Sequence, residues 1–273
     1  MAITLRIEAA PSAELWERWD AHDPASSETV DHMPWAQFLF RHVRTNTDGI
    51  NRVDYANVST DSRDNLDAYL NQLQQVEITR YSRDEQRAYW LNLYNALTVK
   101  VILDNFPVES IKDIKSGFFS PGPWQLELAT VEDVAITLDD IEHRILRPIW
   151  RDPRIHYGVN CASLGCPNLL ENAFSAANTD QLLDDAAQDF VNHSRGADVV
   201  GGKLRVSSIY QWFVDDFGGN DAGVIAHLKQ HAEPKLAQAL ENVNSIDQDS
   251  YDWALNSLAT GIEKSARGGR GGS

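Results

Sequence analysis

Apolar residues in the first third of the chain recur at intervals of three and four. Leu15, Trp16 and Trp19 form one group, Trp35, Phe38, Leu39 and Val43 a second, and Leu66, Tyr69, Leu70 and Leu73 a third. This is the period of one helical face, so three amphipathic helices joined by polar loops are predicted. A longer helix is predicted from Ser82, a capping residue with Glu85 three places on in the spacing of a capping box, to about Asn105, before Pro107. From Trp90 to Leu103 it is apolar on nearly every side, which makes it the buried centre of the fold.

The middle third alternates instead. Trp124, Leu126 and Leu128 read as a strand, and Ile155, Tyr157 and Val159 in RIHYGVN as a second strand that leads into a cysteine-bearing loop. Thr137 and Asp140 open a short helix through Leu146, and Thr179–Asn192 carries Leu182, Leu183, Ala186 and Phe190 on one side of another. Gly201-Gly202, between DVV and KLRV, signals a hairpin, because both central positions of its turn accept positive φ. Helices resume over 208–217, 222–231 and 234–242. The expected class is α+β, a mostly helical domain around a small antiparallel sheet. One domain is expected over 11–262, its core roughly 80–215 and its N-terminal part a helical extension, with 1–10 and the Gly-rich 263–273 as flexible ends.

Composition narrows the partners. The chain has 273 residues, with 24 Lys and Arg against 40 Asp and Glu, a formal charge of −16 and no basic cluster. Neutralising phosphates needs concentrated positive charge, so neither nucleic acid nor an anionic membrane surface is expected as a partner. The best apolar run, from Ala88 to Leu103, is broken by Asn92, Asn95 and Lys100, so no membrane span is expected and the protein should be soluble. Ala9-Ala10-Pro11 looks like the start of a mature exported chain. Phosphate-loop and dinucleotide fingerprints are absent, and no cofactor is expected. Cationic, neutral or peptide-like ligands stay open.

Four motifs in order, YWLNLYNALTVKVIL, LDDIEHRILR, DPRIHYGVNCASLGCP and YDWALN, resemble the DUF547 family, a group named for its unknown function. The resemblance covers roughly 80–215, and the flanking segments resemble extended bacterial members. It implies a periplasmic or secreted location, since many such relatives look exported, and no settled activity. A helix followed by a His-bearing strand is also similar to the papain and transglutaminase folds. Those enzymes carry a Cys at the start of the central helix, and this helix has none, which counts against carrying their triad across.

The chemistry-bearing residues allow two readings. Cys161 and Cys166 are the only cysteines, and in an oxidising compartment they would close a short disulfide loop. Alternatively Cys161 is a nucleophile, with backbone N–H groups of the Gly-rich turn lowering its pKa and holding an oxyanion. His156 is a candidate base, but on an extended strand residues 156 and 161 face opposite sides, roughly 16 Å apart. His143 is the other candidate, with Asp139 four residues earlier to orient it; Glu142 orients a histidine or pairs with Arg147 or Arg154 in an ion network. Asn92 and Asn95, one turn apart on the apolar helix, need buried partners, and a clamp on the loop from Asn160 to Cys166 would supply them. His227 and His231 read as solvated surface, Asp247, Asp249 and Asp252 as an incomplete calcium loop, and no metal site is expected. Tyr210, Trp212 and Phe213 read as core. The residues thus suggest either thiol-dependent acyl or amide chemistry on a peptide-like or amine-bearing substrate, in a cleft where these elements converge, or a non-catalytic binding or scaffold module stabilised by a disulfide.

Overall fold

In a computed structural model of the protein, residues 11–115 and 122–258 are described, so both expected flexible ends, 1–10 and 263–273, fall outside the described residues. The first half is built on α1 (Met33–His42), α2 (Thr60–Gln74) and α3 (Arg83–Asn105), with the hairpin β1 (Val43–Thr45) and β2 (Asn51–Val53). A second hairpin, β3 (Ala129–Val131) and β4 (Val134–Ile136), precedes a π-helix over Asp140–Leu146 that runs into α4 (Arg147–Trp150). Then come α5 (Ile155–Gly158), α6 (Thr179–Asn192), β5 (Ala197–Val200), β6 (Lys203–Ser207), α7 (Ile209–Trp212), α8 (Asp221–His231), α9 (Pro234–Ala239) and β7 (Gln248–Ser250). The class is α+β, as expected.

Helix α3 is the axis. The Ser82 hydroxyl accepts the Glu85 N–H and starts it. The reciprocal half of the capping box is replaced, because the Glu85 carboxylate accepts the Val30 N–H at 2.7 Å. From Glu85 to Leu103 every residue but Lys100 is buried, so each polar side chain needs a partner inside the protein. Gln86 donates to the carbonyls of Ala21 and Ile78, each at 2.9 Å. Asn92 donates to the Phe174 carbonyl at 2.8 Å and accepts its N–H at 3.0 Å. Asn95 donates to the Gly158 carbonyl at 2.8 Å and accepts the Asn160 N–H at 2.9 Å.

One apolar cluster surrounds this helix, with Trp19, Trp35, Trp90, Ile141 and Phe174 fully buried in it. A second joins α6, β5, β6 and α8 through Tyr157, Phe190, Leu204, Tyr210, Phe217 and Leu228. Trp212 and Phe213, expected as core with Tyr210, are only half-buried at its edge.

Four sequence expectations change. The Leu15–Trp19 segment is one 3-10 turn, Glu17–Asp20, whose Trp19 enters the core alone. The 124–128 alternation yields no strand; pairing begins at Ala129, around a tight turn in which Glu132 and Asp133 take φ of 46° and 63°. RIHYGVN is not a strand either. The Asp152 carboxylate and carbonyl accept the N–H groups of Arg154 and Ile155, which winds the following residues into α5. Ile155, His156, Tyr157 and Gly158 are all buried, so the alternation never separated an inner face from an outer one. Finally, the single antiparallel sheet is three small sheets, and in the last of them β7 runs parallel to β6. The Gly201-Gly202 hairpin forms as expected, with both glycines at positive φ. Among the described residues no helix is long and apolar enough to cross a membrane.

Replacing Asn92 with Ala leaves the Phe174 N–H and carbonyl buried and unpaired, at a cost of about 1–3 kcal/mol for each unsatisfied group. The expected outcome is a lower Tm and a lower denaturant midpoint with an unchanged m-value; an unchanged midpoint would show that the clamp does not hold the fold.

Candidate functional site

The cysteine loop is fixed from below and from the side. Below it, Asn160 is held by Asn95; its own side chain accepts the Ala162 N–H at 2.9 Å and donates to the Pro167 carbonyl at 2.7 Å. Beside it, the segment 252–256 pairs with the loop. Leu164 and Gly165 donate to the carbonyls of Ala254 and Asp252, each at 2.8 Å, and Asn256 donates to Ala162 at 3.0 Å. A Cβ at Gly165 would lie 2.6 Å from the Asp252 backbone nitrogen, so the approach requires glycine there. Ala162 takes φ of 55°, which turns the chain sharply after Cys161.

This pairing delivers the Tyr251 hydroxyl to within 2.8 Å of Cys161 Sγ. The Ser163 hydroxyl lies 3.3 Å from the same sulfur, and the Cys161 thiol donates to Cys166 Sγ at 3.0 Å, while the Cys166 thiol donates to the Val159 carbonyl at 3.7 Å. Hydrogen bonding with Cys166, then with Ser163 and Tyr251, holds the Cys161 thiol below the ordinary cysteine range despite burial. Burial and the neighbouring thiol push Cys166 well up. Cys161 stays partly exposed, whereas Cys166 is buried.

Both cysteines are free thiols. At 3.0 Å their sulfurs are well beyond the S–S bond length of about 2.05 Å, which corrects the expected structural disulfide. Most of the backbone N–H groups expected to cradle an oxyanion are already engaged. The N–H of Cys161 donates to Cys166 Sγ, and those of Ala162, Leu164, Gly165 and Cys166 donate to oxygens of the protein. Hydroxyls, not amides, surround the sulfur.

The histidines gather elsewhere. His156 Nε2 lies 2.7 Å from Asp216 Oδ2 and its Nδ1 3.6 Å from Glu142 Oε1, with the ring stacked on Phe213 at 4.3 Å between centroids. Arg147 donates to Asp216 at 2.6 Å and to His143 Nδ1 at 3.0 Å. Both Glu142 and His143 point inward from the π-helix, whose wider i→i+5 turn is a recurrent feature of functional sites. Burial pushes Glu142 up, but His143, His156 and Arg147 outweigh it and hold the carboxyl at about 2. Burial likewise opposes Asp216, which bonds from His156 and Arg147 bring to about 2. Burial lowers His156 too, yet Asp216 and Glu142 leave it net raised. His143 is different: burial first, then Arg147 and His156, outweigh the pull of Glu142 and bring it to about 4. It is therefore neutral at pH 7, and Asp139, 3.8 Å from its Nε2, orients it only loosely.

None of the hydrogen bonds of Cys161 goes to a histidine, so the expected Cys–His pairing is not made. Tyr94 lies between the two groups: burial first, then the charges of Glu142, Cys161 and Cys166, push its hydroxyl well up. Arg154, the other expected cleft residue, belongs to a separate network with Asp152, Asp180 and Asp184, so Glu142 is left with Arg147. The expected cleft is also absent from the two best-formed hollows. One is lined by Asp23, Gln72 and Arg80, the other by Lys229, Pro234 and Glu241, and neither by Cys161, Glu142 or His156.

Tyr251 and Ser163 escaped the sequence reading, although YDWALN flagged the segment that carries the tyrosine. His227 is not surface: it is buried, 2.7 Å from the Tyr157 hydroxyl. Asp247, Asp249 and Asp252 accept from Leu204 N–H, the Ser208 hydroxyl and Ala254 N–H, which are structural duties. Among the described residues no cluster of three or more His, Cys, Asp and Glu is placed to hold a metal.

Residues 78–191 match the model of a family described as "Protein of unknown function, DUF547". That segment, which contains α3, the π-helix and both cysteines, is a DUF547 domain. No curated protein matches it, and no solved structure does, so the likeness to papain and transglutaminase folds has no support.

The buried histidines set the acid response. Burial brings His32, His143 and His227 to about 4 and lowers His42 and His231. Between pH 6.5 and 4 the unfolded chain binds protons at these residues and the folded chain does not, so stability falls as pH drops through that window. His156, raised, works the other way, its contribution complete below about pH 6.5 and lost as pH rises past its folded pKa. Glu142 and Asp216 lose their contribution only as pH falls from about 4 toward 2. Asp139, which burial and Glu142 raise to about 6, and Asp189, raised by burial, also gain stability as pH falls. With five histidines opposing these three groups, the Tm measured at pH 5 should lie below that at pH 7; an equal or higher value would contradict the buried neutral histidines.

Proposed function

We propose that the protein is a thiol-dependent acyl or amide hydrolase or transferase, with Cys161 as its nucleophile and a peptide-like or amine-bearing substrate. The convergence of the Cys166 thiol and the Ser163 and Tyr251 hydroxyls on one partly exposed sulfur carries this reading. A thiolate, not a thiol, is the nucleophile, and donors aimed at the sulfur favour the thiolate without a histidine base. In the reaction, the sulfur forms a bond to the substrate carbonyl carbon and the carbonyl pair moves onto oxygen. Ser163 and Tyr251 are the nearest donors for that oxyanion. Collapse breaks the bond to the amine or alkoxide, which leaves with a proton, and water or a second amine then releases the acyl group from sulfur. Burial keeps the Tyr251 hydroxyl protonated, ready to donate. Glu142 and the His156–Asp216 pair contribute from the second cluster, Glu142 acting electrostatically on Tyr94 and Cys161.

A non-catalytic binding or scaffold module is the second reading. It is favoured by Asn92, Asn95, Asn160 and Arg154, which all have partners within the chain.

Reactivity separates the two. Cys161 should alkylate with iodoacetamide at half-maximal rate well below about pH 8.5, and Tyr251→Phe should move that midpoint upward by about one unit. Alkylation, or Cys161→Ala, should abolish turnover of activated ester or thioester probes, by about 1000-fold or more. Complete alkylation of Cys161 with turnover intact would end the catalytic reading.

A further inference from the structure

We propose that Cys161 and Cys166 form a redox-active pair that reduces hydroperoxides, Cys161 taking the oxygen and Cys166 resolving it. The acyl chemistry above makes and breaks bonds at one sulfur only and gives the second thiol, 3.0 Å away, no covalent role. The two thiols differ in the way such a pair requires. Cys161 is partly exposed, with the Ser163 and Tyr251 hydroxyls beside its sulfur, so it meets the peroxide; Cys166 is buried behind it with its sulfur 3.0 Å from that of Cys161. Low-pKa accessible cysteines next to a resolving cysteine are the usual sites of reversible thiol oxidation.

Arg195 adds a second, independent feature. Its guanidinium donates to the Leu164 carbonyl at 2.9 Å, between the two cysteines, and to Asn168 Oδ1 at 2.7 Å, just after them. It forms no salt bridge among the described residues, its Nε is buried without a partner, and Asp48 and Asp189 interact with it only at longer range. A cation held against this loop favours negative charge on the sulfurs, and Cys166 and Tyr251 are the first groups whose charge it feels.

The chemistry balances with a hydroperoxide as oxidant. The Cys161 thiolate attacks the terminal peroxide oxygen. The S–O bond forms, the O–O bond breaks, and the departing alkoxide takes a proton through the Tyr251 or Ser163 hydroxyl, giving Cys161 sulfenic acid and an alcohol. Cys166 then attacks the sulfenic sulfur and the hydroxyl leaves as water with the Cys166 proton. Two electrons have passed from the thiol pair to the peroxide. The sulfurs need only close by about 1 Å to reach bonding distance. The bond formed is a transient product, and an external dithiol reopens it.

The test uses the full chain, reduced with dithiothreitol, freed of it without air and treated with stoichiometric hydrogen peroxide. Expected is a loss of about 2 Da, a peptide linking Cys161 to Cys166, and full reversal by dithiothreitol, at a rate about 100-fold or more above free cysteine. Cys166→Ser should stop at Cys161 sulfenic acid, about 16 Da heavier and trapped by dimedone, whereas Cys161→Ser should react no faster than free cysteine. Wild type that stays a dithiol, that oxidises Cys161 irreversibly with Cys166 untouched, or that forms a bond dithiothreitol cannot reopen would overturn the proposal. These wild-type readings stand even where a variant fails to fold. On the wild type, peroxide reduction is read by the mass of the thiol pair and acyl chemistry by product release from the ester probe, so loss of one and loss of the other are told apart.

Discussion

The structure depends on the interior of one helix. Helix α3 is buried on all sides over some five turns, so it has no solvent face on which to place a polar side chain. A buried amide without partners costs about 1–3 kcal/mol, so each of its amides dictates where another part of the chain must lie. Asn92 fixes the backbone at Phe174, and Asn95 fixes it at Gly158 and Asn160. From there the constraint passes through side chains. Asn160 sets the Ala162 N–H and the Pro167 carbonyl, and Asn256 reaches Asn160 while accepting from Tyr55. The position of the two thiols is thus a consequence of satisfying the centre of the core.

How much of this could be read from residues alone depended on the range of the interaction. The long helix, its Ser82 start and the burial of Asn92 and Asn95 were visible because apolar periodicity and capping are local. Helix α6 was visible for the same reason, its 179–192 span opening with a polar turn and carrying Leu183, Ala186 and Phe190 inward. What failed was the inference of strand from alternation where both sides of the segment are buried, as in Ile155–Gly158. The glycine hairpin at 201–202 could be read because glycine accepts positive φ freely; the Glu132-Asp133 turn could not, because acidic residues seldom take that conformation. At Glu132 the strained turn is held by distant partners, its carboxylate accepting the Thr79 N–H at 2.8 Å and its carbonyl accepting from Arg18.

The site was legible in its cysteines and illegible in their company. Spacing showed that Cys161 and Cys166 lie near one another, and it said nothing of Tyr251, 90 residues later, which supplies a short contact to the sulfur. Only the pairing of 252–256 with the loop brings that tyrosine in. The histidines misled for the opposite reason. Each looked like a base for the thiol, but burial leaves a histidine with two choices, to pair with an acid or to stay neutral, and here His156 does the first and His143 the second.

That division explains how charge is arranged inside a chain of −16. Asp216 and Glu142 are balanced by His156 and Arg147, and the phenyl ring of Phe213 covers both the imidazole and the guanidinium, 4.7 Å from the latter. This cluster is electrically complete and has no need of the thiols. Around the cysteines the balance is unfinished: the Ser163 and Tyr251 hydroxyls and the guanidinium of Arg195 gather there, and Glu142 acts on Cys161 only as a minor opposing charge. Hydroxyls able to donate and a nearby cation favour whatever carries negative charge within their reach. In this fold the sulfur of Cys161 is the group placed to carry it, and the chemistry belongs to the thiol for that reason, not because a histidine activates it.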